Sequence, residues 1–443
     1  MNETMEEKNI VKTFFSYSVP CIIAMFLTSF IIVVDGVFIG WKVGESGLAA
    51  INLTLPLMYI LLAVTLLIGV GGVTLAAQSL GAKQKKQASY YFSVALSGIL
   101  AVDTSIVLFI AAFLDDIVVL LDAHGIVQEY VKDFLGVIVY FYVFMMLNMA
   151  FSMFIRAEGK PLLSLLFGVS GNIFNVILDY VFIMKLDWGM CGAALASGLS
   201  VLVPCLFGLM YFLTNRSVYQ FTKFSPNFTD CKNIIFNGSA EFIAQISISI
   251  TIFAFNLVLM ERIGVNGVAA QTIIGYVVFI QSMVLTGIAI GIHPLISYNF
   301  GAKNMDVIFK LLGIGVKAVF AVGLVVCIVS LVYAEDIISI FSHNNQELLN
   351  IGGIGLRIFS IAFILNGYNM IVAAFFTSIG KAKAALFVSS LRSLVLILFF
   401  LLVLPYILGD IGIWLTTPLA ETVTFAAAYL LVSKIKNELH SRS

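Results

Sequence analysis

Leu394-Val-Leu-Ile-Leu-Phe-Phe-Leu-Leu-Val-Leu404 contains no side chain that can make a hydrogen bond. It lies in a longer apolar run near residues 385–407, and comparable runs recur along the whole chain. Each is long enough to cross ~30 Å of hydrocarbon as a helix. Hydrocarbon offers no partner to backbone N–H and C=O groups, so a crossing segment must pair them internally. A transmembrane β-strand would alternate over about ten residues; neither this run nor Ile106–Leu114 does. Composition agrees. Hydrophobic residues make up 61% and charged residues 11% of the 443, against roughly 45–50% and about 25% in soluble domains. The chain reads as an all-α membrane protein.

Working outward between polar breaks gives about twelve spans, near 13–37, 50–73, 92–114, 130–153, 163–184, 192–213, 235–258, 268–292, 311–333, 352–376, 385–407 and 411–432. Lysine and arginine set their direction. The N-terminus, the even-numbered loops and the C-terminus hold 17 of them, from Lys8 and Lys12 to Lys434, Lys436 and Arg442. The odd-numbered loops hold four: Lys42, Lys132, Lys185 and Arg262. Both termini are expected in the cytoplasm. The outer loops are acidic instead, as at Asp115-Asp116 and Glu335-Asp336. The first nine residues are acidic and polar, unlike a secretory leader, so the first span is expected to be retained.

The chain repeats itself at an offset of about 220 residues. Gln78-Ser-Leu-Gly-Ala-Lys83 returns as Tyr298-Asn-Phe-Gly-Ala-Lys303, and Gly47-Leu-Ala-Ala50 as Gly267-Val-Ala-Ala270. Asp115-Asp-Ile117 returns as Glu335-Asp-Ile337, Gly159-Lys160 as Gly380-Lys381, Asn148 as Asn369, and Gly189 and Gly192 as Gly409 and Gly412. Six spans per half is an even number, so the halves enter from the same side and the repeat is parallel. That is a plan of transporters that handle substrate between two bundles. The sequence divides into a six-helix lobe over 1–213, a cytoplasmic linker over 214–232 carrying Pro226, and a second six-helix lobe over 233–443.

A charge at mid-bilayer costs about 2.5–3.5 kcal/mol on insertion scales, so Asp35, Asp179 and Glu241, all inside spans, require a reason. Asn172, Asn175 and Asp179 share one face of the fifth span at spacings of three, four and seven. Asn148 with Ser152, and Glu241 with Gln245 and Ser249, repeat the pattern in spans four and seven. Asp35, Asp179 and Ser197 fall at similar depth in the outer half of the first bundle. Two carboxylates, an amide and a hydroxyl make a hard-oxygen set suited to a small cation or an exchangeable proton. For Asn148 and Asn172, interhelical hydrogen bonding is an equal reading. Asp103 reads as a packing or water-facing group, and Arg392 either as a counter-charge or as a snorkelling side chain. Pro20 kinks the first span and shares it with Asp35, which makes that helix a candidate gate.

Several chemistries find no support. Gly69-Val-Gly-Gly72 is followed by no Gly-Lys-Ser/Thr, the histidines His124, His293, His343 and His440 are dispersed, and the five cysteines form no Cys-x-x-Cys. Neither ATP hydrolysis nor metalloprotease chemistry is expected, no cofactor is expected, and the zero net charge suggests no nucleic acid.

Val34-Asp35-Gly36, Gln78-Ser-Leu-Gly-Ala-Lys83, Arg156-Ala-Glu-Gly-Lys160, Asn172-x-x-Asn175-x-x-x-Asp179 and Gly192-Ala-Ala-x-Ala-Ser197 together resemble the multidrug and toxic compound extrusion family, in its prokaryotic branch. The resemblance covers essentially the whole chain. It implies twelve helices in two lobes forming a V, and export coupled to inward Na⁺ or H⁺. It also implies a first-lobe cation site at Asp35, Asn175, Asp179 and Ser197, with Ser197 standing where threonine is common. Glu241 matches an acidic residue often found in the seventh helix. Ala240 stands where proline often begins the second lobe, and the tenth helix offers amides, Asn366 and Asn369, where some members carry an acid. The expectation is a monomeric inner-membrane antiporter of a prokaryote that exports small amphipathic organic cations. Glu241, Gln245, Asn148 and Asn172 are its candidate substrate or coupling residues. The rivals are a lipid or lipid-linked sugar flippase of the same wider group, which would need a basic groove, and an integral-membrane enzyme, for which no catalytic cluster is visible.

Overall fold

Apolar runs of this length fold as helices because lipid leaves the backbone no other partner, and the computed structural model is helical throughout. It describes residues 10–121, 123–214, 216–223, 227–341 and 345–440. The first nine residues, with Lys8, and Pro226, His343 and Arg442 lie outside that set. The first half comprises α1 (Ile10–Lys42), α2 (Glu45–Gly81), α3 (Lys85–Ala112), α4 (Leu114–Leu120), α5 (Ile126–Ala157), α6 (Pro161–Asp179) and α7 (Gly189–Leu213). The second comprises α8 (Phe228–Arg262), α9 (Val265–Gly301), α10 (Met305–Val332), α11 (Ala334–Phe341), α12 (Gln346–Ser378), α13 (Ala382–Ser390), α14 (Leu396–Leu408) and α15 (Asp410–His440). A π-helical turn, Tyr180–Lys185, extends α6, and another, Leu391–Val395, joins α13 to α14 into one span. Among the described residues twelve helices are long and apolar enough to cross a membrane.

The helices overrun the predicted spans. α2 and α9 each have 37 residues, about 55 Å at ~1.5 Å per residue, and they carry Gln78–Gly81 and Tyr298–Gly301 as their last turns. Two elements were not anticipated. The acidic pairs Asp115-Asp116 and Glu335-Asp336 lie in the first turns of the short helices α4 and α11, where carboxylates complement the helix dipole. Each is also pinned to the next span by an ion pair, Asp115–Lys132 at 2.6 Å and Glu335–Arg357 at 3.0 Å.

The repeat extends to backbone dihedrals. Lys83 and Lys303 both adopt left-handed φ, 62° and 61°, which is uncommon for a residue with a Cβ. Each ends its long helix after the Gly-Ala pair. Gly44 and Gly264 take 83° and 82°, Gly159 and Gly380 take 100° and 72°, and Gly189 and Gly409 take 52° and 63°. The buried cores correspond too: Ile39, Ala50 and Val118 in the first half, Leu259, Ala270 and Ile338 in the second.

Contacts group the chain into two units. One comprises residues 23–238, the other residues 10–22 with 239–440. This differs from a division at 213 and 233, because the first turns of α1 and of α8 each pack in the opposite unit. Glycine allows both approaches. In the first unit Gly71 and Gly238 leave no room for a Cβ, since one would strike the Ile234 carbonyl and the other the Leu67 carbonyl. In the second unit Gly287 and Gly291 sit against the backbone of Ile22 and Ser18 in the same way. Pro20 lies inside α1 just before its change of unit.

The segment from 216 to 223 is docked rather than free. Glu158, buried at the end of α5, accepts hydrogen bonds from Tyr211 Oη, Ser217 Oγ and the Val218 N–H, and Lys160 Nζ lies 3.1 Å away. Tyr219 is fully buried and stacks on Phe92 with ring centres 5.7 Å apart. Ser89 and Ser93 accept the N–H groups of Gln220 and Thr222. A sequence polar enough to read as linker is thus held by one buried carboxylate and one aromatic plug.

Two predictions follow from the packing. Gly71→Ala should lower stability in detergent by about 1–3 kcal/mol, the usual cost of overpacking. Gly168→Ala, where nothing lies within 4 Å of the added carbon, should stabilise by up to about 1 kcal/mol. Glu158→Ala should cost about 1.5–3 kcal/mol, the scale of a hydrogen bond to a charged group, and should accelerate tryptic cleavage at the exposed Arg216 and Lys223. Thermal unfolding and mass mapping of the fragments measure both effects.

Candidate cation-binding site

In the first unit α1 presents Asp35 and the last turn of α6 presents Asp179, with Asn175 one turn earlier. The two carboxyl groups lie within hydrogen-bonding reach of each other. Asn175 is 5% exposed and Asp179 1%. Asp35 Oδ1, Asn175 Oδ1 and Asp179 Oδ2 are all buried without a hydrogen-bond partner, and among the described residues no lysine or arginine pairs with either acid. Two facing carboxyls cannot both be ionised cheaply without a cation or a shared proton between them. The oxygens therefore fit a small hard cation or a proton. The π-turn starts directly after Asp179, a local geometry frequent at functional sites.

The other sequence candidates are distributed differently. Ser197 lies half-buried on α7, and its recorded hydrogen bond is through its carbonyl, which accepts from Ser200 Oγ at 2.8 Å; no hydrogen bond joins its hydroxyl to the two acids. Asn148 and Asn172 are half-buried on α5 and α6. Asp103, read as a packing or water-facing group, is fully buried and so does not face water. Thr65 Oγ1 lies 3.3 Å from both of its oxygens and 3.4 Å from Tyr142 Oη.

The second unit holds a larger polar cluster. Glu241 on α8 is half-buried and accepts from Gln245 Nε2 at 3.4 Å, with Arg392 within electrostatic reach. Arg392, on the π-turn, is a counter-charge rather than a snorkelling side chain. Its Nη2 is 3.1 Å from Asn366 Oδ1 and 3.4 Å from Glu421 Oε1. Asn369, the repeat partner of Asn148, donates from Nδ2 to Glu421 Oε2 at 2.6 Å and to the Glu421 carbonyl at 2.9 Å. Glu421 was missed by the sequence reading although it sits inside the last predicted span, 3% exposed. The test that singled out Asp35, a charge within an apolar run, finds it as well. Four nearby threonines (Thr416, Thr417, Thr422 and Thr424) made that run look polar enough to pass over.

The MatE family model matches the chain twice, over residues 20–181 and again over 241–403, one match in each half of the repeat. The multidrug export protein MepA of Staphylococcus haemolyticus is 27% identical over 438 residues, covering 98% of this chain and 96% of that protein. MepA of Staphylococcus saprophyticus is 26% identical over the same length. Two solved structures share the fold at a TM-score of 0.91. One is an outward-facing multidrug resistance MATE family transporter of the MOP superfamily, 23% identical, with 99% of this chain and 98% of that one covered. The other is a MOP superfamily transporter from Pyrococcus furiosus, described as having a binding pocket of reversed polarity and a different function, 24% identical with the same coverage. With both halves matched and the twelve spans and their repeat in place, the chain belongs to the MatE family, the multidrug and toxic compound extrusion transporters that its sequence resembles, and is a multi-pass membrane transporter rather than an enzyme.

Proposed function

We propose that this chain is a cation-coupled antiporter that exports small lipophilic, cationic compounds by alternating access. The observation that carries the reading is the facing pair Asp35 and Asp179, buried with Asn175 and, among the described residues, with no basic side chain paired to either. Such a pair holds one small cation well and two charges badly. A proton or Na⁺ entering it alters the charge on α1, and Pro20 in the same helix provides the bend through which that change reaches the rest of the chain. The lysine and arginine bias supports a cytoplasmic membrane location with both termini inside. Because each polar cluster is complete within one chain, a single copy suffices.

The surplus of intramembrane acids and a chain with 38 Phe and 16 Tyr, side chains that suit flat apolar cations, support this substrate class. The staphylococcal relatives named as multidrug exporters lend the same support. A lipid-linked sugar flippase would need a free basic groove for pyrophosphate. Arg392, the intramembrane cation best placed to serve it, is engaged by Glu421 and Asn366.

Efflux of a lipophilic cationic dye from proteoliposomes under imposed Na⁺ or H⁺ gradients tests this. One of the gradients should drive the dye, thereby naming the ion, and Asp179→Asn should abolish the driven component. Dye that moves under neither gradient, in liposomes where labelled lipid flips, overturns the reading in favour of the flippase.

A further inference from the structure

The cluster around Arg392 is unlike the Asp35 pair, because it contains its own cation. Arg392 is held by one nitrogen only. Nη2 serves both Asn366 and Glu421, at 3.1 and 3.4 Å, while Nε is buried without a partner. A well-made arginine–carboxylate pair uses two parallel N–H···O bonds at about 2.7–2.9 Å, so this guanidinium sits in a polar nest without filling it. The nest has an acceptor to spare. Asn369 is fully buried, its Nδ2 is committed to Glu421, and its Oδ1 accepts nothing. Two carboxyl groups share this one arginine: Glu421 pairs with it, and Glu241 lies within its electrostatic reach. The arginine is carried by a π-helical turn, Leu391–Val395, a segment whose extra residue lets the helix shift by a register step.

We propose that Glu421, Asn366 and Asn369 form a binding site for planar N–H-bearing cations of the guanidinium and amidinium class, and that Arg392 is its tethered occupant. A free cation of that class enters when the arginine side chain swings out on the π-turn. It then meets the same carboxylate and the same amide oxygens, with Asn369 Oδ1 as an additional acceptor. Glu241, bonded by Gln245 of the same helix, lies within electrostatic reach of the arginine. The proposal deepens the cation-export reading and rests on it for its meaning in transport. A tethered group competes at an effective concentration of the order of millimolar, so the intact protein takes such a ligand weakly, whereas one lacking the tether takes it readily.

The test is binding of methylguanidinium to the full-length protein in detergent, followed by calorimetry and by thermal shift against NaCl at equal ionic strength. Arg392→Ala should bind it roughly tenfold or more tightly than the parent does, since the tethered competitor is gone. Adding Glu421→Gln should remove most of that gain. If Arg392→Ala does not fold, Arg392→Gln, which keeps a donor for Asn366, makes the same comparison. Equal affinity in the parent and the arginine variant overturns the proposal, and so does a gain that survives Glu421→Gln. Neither result bears on dye efflux driven through Asp179, so the two readings fail separately.

Discussion

A backbone amide in hydrocarbon has no solvent to fall back on, and everything else in this protein is arranged around that fact. Each crossing must be a helix, and helices surrounded by lipid gain little from burying apolar surface against one another. What holds them together is close packing and the few polar groups that find partners. Hence glycine stands where the helices cross: Gly71 on α2 against Gly238 on α8 in one unit, and Gly287 and Gly291 on α9 against α1 in the other. At those points backbone lies on backbone, and a single methyl group would force the crossing apart.

The same constraint makes buried charge informative. In water an unpaired carboxylate is unremarkable, whereas inside a span it must hold a proton, a cation or a fixed counter-charge. The chain uses different solutions in its two units. Asp35 and Asp179 face each other with oxygens left over, an arrangement open to an exchangeable cation. Glu421 is met by Asn369 and Arg392, a fixed positive charge within the chain. The repeat therefore preserved the scaffold, down to the left-handed Lys83 and Lys303, while the chemistry in the two halves diverged. The residue opposite Arg392 in the repeat is close to Asn172, an amide where the second half has a guanidinium.

Much of this was legible in the residues themselves. The number of crossings, the internal repeat, and the presence of acids at positions 35 and 179 inside spans follow from hydropathy and from matched motifs. The short helices α4 and α11 were not legible, because seven or eight residues between two long apolar runs carry no periodic signal of their own. Nor was the docking of residues 216–223, whose polar composition conceals one plug, Tyr219.

By itself, then, the sequence determined that the chain is a repeated, twelve-span helical membrane protein with acids at intramembrane positions. Those properties are averages or periodicities along the chain, and they need no knowledge of neighbours. Only the tertiary structure decided that Asp35 meets Asp179, that Arg392 meets Glu421, and that the first turns of α1 and α8 belong with the opposite unit. Pairing depends on how each helix is rotated and how deep it sits. One residue rotates a helix by about 100°, and the π-turns at Tyr180–Lys185 and Leu391–Val395 introduce such a shift with no signature in their composition.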